Sequence, residues 1–126
     1  MEIITEVKKI NEIINDYKGT KANIWLFDIS HIKLAMKIYS NKKEETLYLV
    51  LAGCKYIKGS FSLNNPDLFV SENFDDKTSE VIFKVTDNNS DFELTSSSGI
   101  ALAKGIESEF GNSFENFLLS NNNESL

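Results

Sequence analysis

The sequence predicts an α+β fold: an antiparallel β-meander of about seven or eight strands, sandwiched or rolled, with an N-terminal amphipathic helix and a short C-terminal helix. Three observations carry this. Apolar residues recur at helical steps over the first 17 positions, at steps of two through residues 21–104, and at near-helical steps again after Gly105. The chain has 126 residues, 41% apolar and 25% charged. That is ordinary globular composition, and it suits one domain over residues 1–126. A domain of this size buries roughly two-thirds of the surface its unfolded chain exposes and needs no metal or disulfide staple.

The first element is set by Ile3, Val7, Ile10, Ile14 and Tyr17, with Ile4 and Ile13 widening the stripe, and it predicts a helix over residues 1–18. Glu2 and Glu6 stand where the helix dipole favours negative charge, Lys18 stands near the other end, and Gly19 suits a terminator. About two heptads are too few to define a coiled coil, so the helix is expected to pack on a sheet. If Ile4 and Ile13 are not both buried, this helix is also the place for weak self-association.

After Gly19 the period is two. Residues 22–29 are apolar on both faces, Ile24 and Leu26 on one, Trp25 and Phe27 on the other, as in a covered central strand. Residues 28–31 form a connection to Ile32, Leu34, Met36 and Ile38, which alternate with polar neighbours. A polar turn over 40–45 precedes Leu47, Leu49 and Leu51, and Gly53 marks a bulge or bend before a shorter strand over 55–61. Asn64, Asn65, Pro66 and Asp67 form a turn, because Pro66 pushes Asn65 out of helical geometry. Extended segments follow at 68–70, 81–85, 92–94 and 100–102, with turns at 75–79, 87–90 and 96–99. Ile106, Phe110, Phe114, Phe117 and Leu118 predict a helix over 106–119 capped near Asn112 or Ser113 and interrupted at Gly111. Residues 120–126 read as a frayed tail.

Charge narrows the functional classes. The net charge is −6, and all thirteen basic residues are lysines. A chain without arginine lacks the side chain best suited to bidentate phosphate or guanine recognition, and its acidic balance opposes nucleic-acid binding. The absence of arginine and glutamine together is also what an AT-rich genome produces. Residues 1–60 carry +3 and residues 61–126 carry −9. The plainer reading of that asymmetry is a well-solvated surface; the sharper one is a surface for a basic protein partner. Its candidate residues are Asp75, Asp76, Glu80, Asp87, Asp91 and Glu93.

Chemical motifs are sparse. One cysteine, Cys54, permits no internal disulfide and fits a reducing cytoplasm. No signal-like or membrane-spanning stretch is present in the sequence, so a cytoplasmic protein is expected. One His and one Cys cannot build a zinc site of the usual kind, and residues 87–91 lack the length and terminal Glu of an EF-hand loop, so no metal is expected. Nucleotide-binding glycine patterns are absent, and no cofactor is expected. Asp28, Ser30 and His31 lie close in sequence, yet a triad is defined by geometry, so no catalytic residue is assigned and an enzyme is disfavoured. Cys54 beside Lys55 invites a reactive-thiol reading but fits a half-buried structural thiol better. Aromatic residues fall on strand positions; Trp25, Tyr48 and Phe83 are the candidates to line a small-ligand cavity within a curved sheet, against the simpler expectation of core packing.

Trp25, Asp28-x-Ser30-His31, Leu47-Tyr48-Leu49, Tyr56-Ile57-x-Gly59, Asp91-Phe92-x-Leu94 and Gly99-Ile100-x-Leu102 make the stretch from Trp25 to Leu102 resemble small bacterial α+β proteins of the immunity-protein kind. Some small acidic α+β proteins of this general kind are immunity proteins, which block toxins delivered by neighbouring cells; at the level of class the resemblance implies a non-enzymatic interaction protein, and it brings no site residue with it. The expectation is therefore a protein-interaction module binding a basic partner through its acidic C-terminal half. The alternatives are a small-molecule-binding barrel-like domain and, behind it, a small hydrolase using His31 or Cys54.

Overall fold

Period-two patterning becomes β-structure along most of the chain. In a computed structural model describing residues 1–17 and 20–110, the elements are β1 (Glu2–Ile4), α1 (Val7–Asn15), β2 (Lys21–Asp28), β3 (Lys33–Tyr39), β4 (Glu45–Lys58), β5 (Ser62–Asn64), β6 (Leu68–Asp75), β7 (Glu80–Asp87) and β8 (Glu93–Ile106). The strands form one curled antiparallel sheet in the order β5-β2-β3-β4-β8-β7-β6, with β1 added to β8. Two meanders, β2–β3–β4 and β6–β7–β8, meet where β4 and β8 pair over most of their length. The α+β antiparallel class is as the pattern predicts.

Curling follows from connectivity. β5 and β6 lie at opposite edges of the sheet, yet only residues 65–67 separate them. Three residues span at most about 14 Å between the flanking Cα atoms, whereas seven strands laid flat extend about 29 Å. The sheet must therefore wrap until its edges approach at this corner. Asp87, 5% exposed, holds the corner. Its carboxylate accepts hydrogen bonds from Asp67 N at 2.7 Å, Asn89 N at 3.0 Å and the Ser90 hydroxyl at 2.7 Å. Asn88 N donates to Asp67 O at 3.0 Å, and Asn89 Nδ2 donates to Asn65 O at 2.8 Å.

The inner face of the curl carries the main core: Leu34, Met36, Ile38, Leu47, Leu49, Leu51, Val70, Val85, Phe92, Leu94 and Leu102, closed by Ile10, Ile14 and Tyr17 of the helical segment. The outer face carries a smaller cluster of Ala35, Tyr48, Val50, Ala103 and Phe110, with Ile3, Trp25 and Leu26 against it. Tyr17 donates its hydroxyl hydrogen to Glu45 O at 2.9 Å and accepts at its carbonyl from Thr20 Oγ1 at 2.5 Å, tying the helix exit to β4.

Four expectations are corrected. The N-terminal helix starts at Val7, not at residue 1, because residues 2–4 form β1 against Leu102, Ala103 and Lys104, a stretch of β8 beyond the reach of β7. It ends at Asn15; Lys18 and Gly19 lie outside the described residues. Residues 96–99 are not a turn but the middle of β8, paired with the Ala52–Cys54 part of β4. The accommodation is shared by both strands: register shifts bracket Cys54, with Ser97 and Ser98 of β8 set against Gly53 of β4, whose φ is +67°, and Lys55 of β4 then left without a counterpart. A side chain at residue 53 would collide with Ser98, so the bulge requires glycine there. The shorter strand expected over 55–61 is the continuation of β4 to Lys58. Finally, Ile106 closes β8 and Glu107–Glu109 make a single 3-10 turn in place of the start of a C-terminal helix; residues 111–126 lie outside the described residues.

Replacing Asp87 strands several donors at the corner, whereas Asp91 is exposed. Urea unfolding is expected to show Asp87→Ala destabilised by at least about 2 kcal/mol and Asp91→Ala changed by less than about 0.5 kcal/mol. Equal effects would mean the corner is not held through Asp87.

Candidate functional site

A nine-residue helix is about 14 Å long and cannot cover the whole inner face. Beyond its reach the face opens into an apolar cleft of about 350 Å³ lined by Ile24, Phe27, Leu34, Cys54, Lys55, Tyr56, Ile57, Phe61 and Leu94. Phe61 is 74% exposed, and Phe27, Tyr56 and Ile57 are exposed beside it. Ile29 and Ile32, in the β2–β3 connection, extend the exposed apolar surface. Contiguous apolar surface of this kind marks a contact site more often than single exposed residues do.

Each wall has a local cause. A bulge at Trp25, between the Ile24–Met36 and Leu26–Ala35 pairs, shifts the register of β2. Trp25 and Leu26 both join the outer cluster, and Phe27 turns to the inner face opposite Leu34. The β4 bulge places Cys54 across from Ser96, which lies across from Phe83, so a cross-strand row runs from the cleft to β7. Ser96 is fully buried, and among the described residues its hydroxyl has no hydrogen-bond partner. Val81 lies beyond Phe83 on the same face of β7, opposite Phe74, and both are exposed, Phe74 at 61%.

The six acidic candidates do not form one cluster. Asp75, Asp76 and Glu80 lie at the β6–β7 turn, and Asp87, Asp91 and Glu93 lie at the β7–β8 turn. The two groups are separated by the length of β7, about 23 Å. Glu80 accepts from Lys55 Nζ at 3.0 Å, which holds its carboxyl below the usual range and ties the β6–β7 end to the cleft wall. Asp75 accepts from Lys77 N at 3.0 Å within the turn. Glu93 pairs across from Lys58 and Thr86. Asp87 is structural, as described above.

Trp25 and Tyr48 belong to the outer cluster and not to the apolar cleft. Their rings pack edge to face at 4.4 Å, and Tyr48 stacks on Phe110 at 4.1 Å. Burial, with a contribution from the Glu107 charge, pushes the Tyr48 phenol up to about 12. Phe83 packs against the edge of the main core. The aromatics that do line the cleft, Phe27, Tyr56 and Phe61, escaped sequence reasoning, because a bulge reverses which side chains share a face and leaves no mark in the alternation.

Asp28 and His31 do meet: His31 Nδ1 lies 2.8 Å from Asp28 Oδ2, and Ser30 N donates to Asp28 Oδ1 at 2.9 Å. The histidine bond, with smaller help from Ser30, holds the exposed Asp28 carboxyl below its usual value. The folded form is thus favoured slightly above the ordinary carboxylate range, and this contribution fades as pH falls through the depressed value. Ser30 contributes its backbone to this turn, so the arrangement is an Asx turn closed by imidazole and not a nucleophile–base–acid relay. The Cys54 thiol donates to Leu51 O at 3.6 Å, and burial pushes it up to about 11. That suppresses the nucleophilic thiolate. Among the described residues, no three His, Cys, Asp or Glu side chains gather as a metal site, and no helix is long and apolar enough to cross a membrane.

No family model, curated protein or solved structure matches this chain.

Two measurements check these assignments. Iodoacetamide should alkylate Cys54 in the folded protein about a hundredfold more slowly near neutral pH than in the unfolded chain; equal rates would show an open thiol. The carboxyl titration of Asp28, followed by NMR, should move up in His31→Ala, and an unmoved midpoint would mean the pair is not formed.

Proposed function

We propose that this protein is a non-enzymatic binding module for a basic protein partner. A large apolar side chain of the partner enters the cleft, while the acidic β6–β7 end engages its positive charges. The observation that carries this is the inner face left open among the described residues: Phe27, Tyr56, Ile57 and Phe61 exposed around one apolar cleft, with Lys55 on its wall bound to Glu80. Apolar anchoring supplies binding energy, and the acidic turn supplies selection and encounter rate. Asp75 and Asp76 are the acidic residues assigned to this contact, with Glu80 holding Lys55 at the cleft wall. An immunity-like role, in which the partner is a basic toxin, is the form of this reading in keeping with the sequence resemblance. We place such a protein in the bacterial cytoplasm.

A second reading rests on the same cleft. Its volume falls at the small end of the range for small-molecule pockets, and its apolar lining would suit an aromatic or aliphatic ligand. It is less favoured because few polar groups converge there to orient a ligand.

Selection of displayed peptides on the immobilised protein distinguishes the two. The expected winners carry a large apolar residue beside lysine or arginine. They should lose about tenfold or more in affinity for Phe61→Asp and weaken as salt is raised. Enrichment of neutral or acidic peptides, or undiminished binding to Phe61→Asp, would overturn the proposal. Saturable binding of a hydrophobic dye with no selectable peptide would favour the small-molecule reading.

A further inference from the structure

β6 is the outermost strand on its side of the sheet. Such a strand presents a row of backbone donors and acceptors to whatever lies beside it. One position of that row is already taken within the chain. Asn11 of α1 donates from Nδ2 to Val70 O at 2.8 Å and accepts from Val70 N at Oδ1, also at 2.8 Å. The side-chain amide pairs with Val70 as a neighbouring strand would.

That contact fixes the phase of the edge. Since both backbone groups of Val70 point away from β7, antiparallel alternation points those of Glu72 and Phe74 outward as well. α1 runs beside β6 only as far as Ser71 and Glu72, where it leaves a groove. Among the described residues, the outward N–H and C=O groups of Glu72 and Phe74 have no partner.

We infer that an extended, basic segment of the partner adds as a further strand to β6 at Glu72–Phe74. The inference rests on the binding-module reading and supplies its mode of engagement. Side chains specify the occupant. A residue directly across from Phe74 would lie on the inner face over the exposed Phe74–Val81 pair, and a large apolar side chain fits there. A residue across from Glu72 would share the inner face with its carboxylate. A residue across from Asp75 would meet that carboxylate on the opposite face, next to Asp76. The matching segment carries a large apolar side chain with a basic residue on one side and, one spacer away, a second basic residue on the other. A second copy of this chain is a poor occupant, because it would bring Glu72, Asp75 and Asp76 against the same three acids.

A synthetic extended peptide of that pattern, with two lysines around a valine, is the probe. By calorimetry it should bind the full chain, and amide exchange at Glu72 and Phe74 should slow when it is saturating. Glu72→Pro removes an outward N–H without removing a β6–β7 ladder bond, and it should cost about tenfold in affinity. N-methylation of the peptide amides that face β6 should do the same, and it keeps the protein unaltered should the proline variant fold poorly. Unslowed exchange at both residues, or full affinity of the N-methylated peptide, would overturn the inference. Phe61→Asp separates it from the cleft. Peptide binding lost in Phe61→Asp but insensitive to N-methylation would leave the cleft reading standing and remove the edge; the reverse result would keep the edge and remove the cleft. Concentration-dependent dimerisation abolished by Phe74→Lys would show that the edge takes a second copy, and would also overturn the inference.

Discussion

The structure depends on one constraint: the two outermost strands, β5 and β6, are joined by residues 65–67. A chain that short cannot cross a flat seven-stranded sheet, so the sheet has to curl until its edges come together. Curling separates an inner face, which collects the long aliphatic side chains, from an outer face, where Tyr48, Trp25 and Phe110 form a smaller aromatic cluster. Asp87 secures the meeting point, and an acid that looks like a surface charge in sequence is thereby spent on architecture. Closure there also leaves the opposite end of the curl unsealed, since one short helix cannot cover the whole inner face.

The open end and the bare edge are therefore consequences of the same geometry. The helix is positioned by Ile10, Ile14 and Tyr17 on the core and by Asn11 on Val70, and these contacts hold it near the closed corner. What it does not reach is the Phe27–Phe61 cleft and the Glu72–Phe74 backbone. The exposed apolar side chains and unpaired strand groups among the described residues are costly to leave facing water, and their convergence on one side of the sheet gives them a common explanation in binding.

Much of the fold is legible in the sequence. The helical stripe from Val7 to Tyr17, the alternation in β2, β3 and β4, and the turn at Pro66 all follow from local spacing. What stays hidden depends on pairing at a distance. Residues 2–4 continue the helical pattern, yet they serve as a strand because the far half of β8 offers unpaired backbone beyond the end of β7. Ser96, Ser97, Ser98 and Gly99 have turn composition, yet they stay extended because β4 pairs alongside them, with the extra β8 residue opposite Gly53 offset by an extra β4 residue at Lys55. The cleft is illegible for a related reason: Trp25 and Phe27 alternate as if they shared a face, and a single bulged residue separates them. Composition did point to an acidic C-terminal half, but it could not divide those acids into two ends of β7, nor tell the structural Asp87 from the exposed Asp91.

Placement therefore matters more than net charge in reading this surface. The −9 balance of residues 61–126 is not a uniform field, because Glu80 is paired with Lys55 and Asp87 is consumed at the corner. The remainder that adjoins unsatisfied structure is Glu72, Asp75 and Asp76, on and just beyond the strand whose outer backbone groups are bare. Two other edge stretches are protected by plain means: β5 is three residues long and followed closely by proline, and Val70 is capped by Asn11. Acidic side chains at the Glu72–Phe74 stretch act in two directions. They repel an identical edge and so oppose self-pairing, and they attract a strand that carries positive charge. A device that keeps copies of the chain apart is thus also the device that selects what may pair with it.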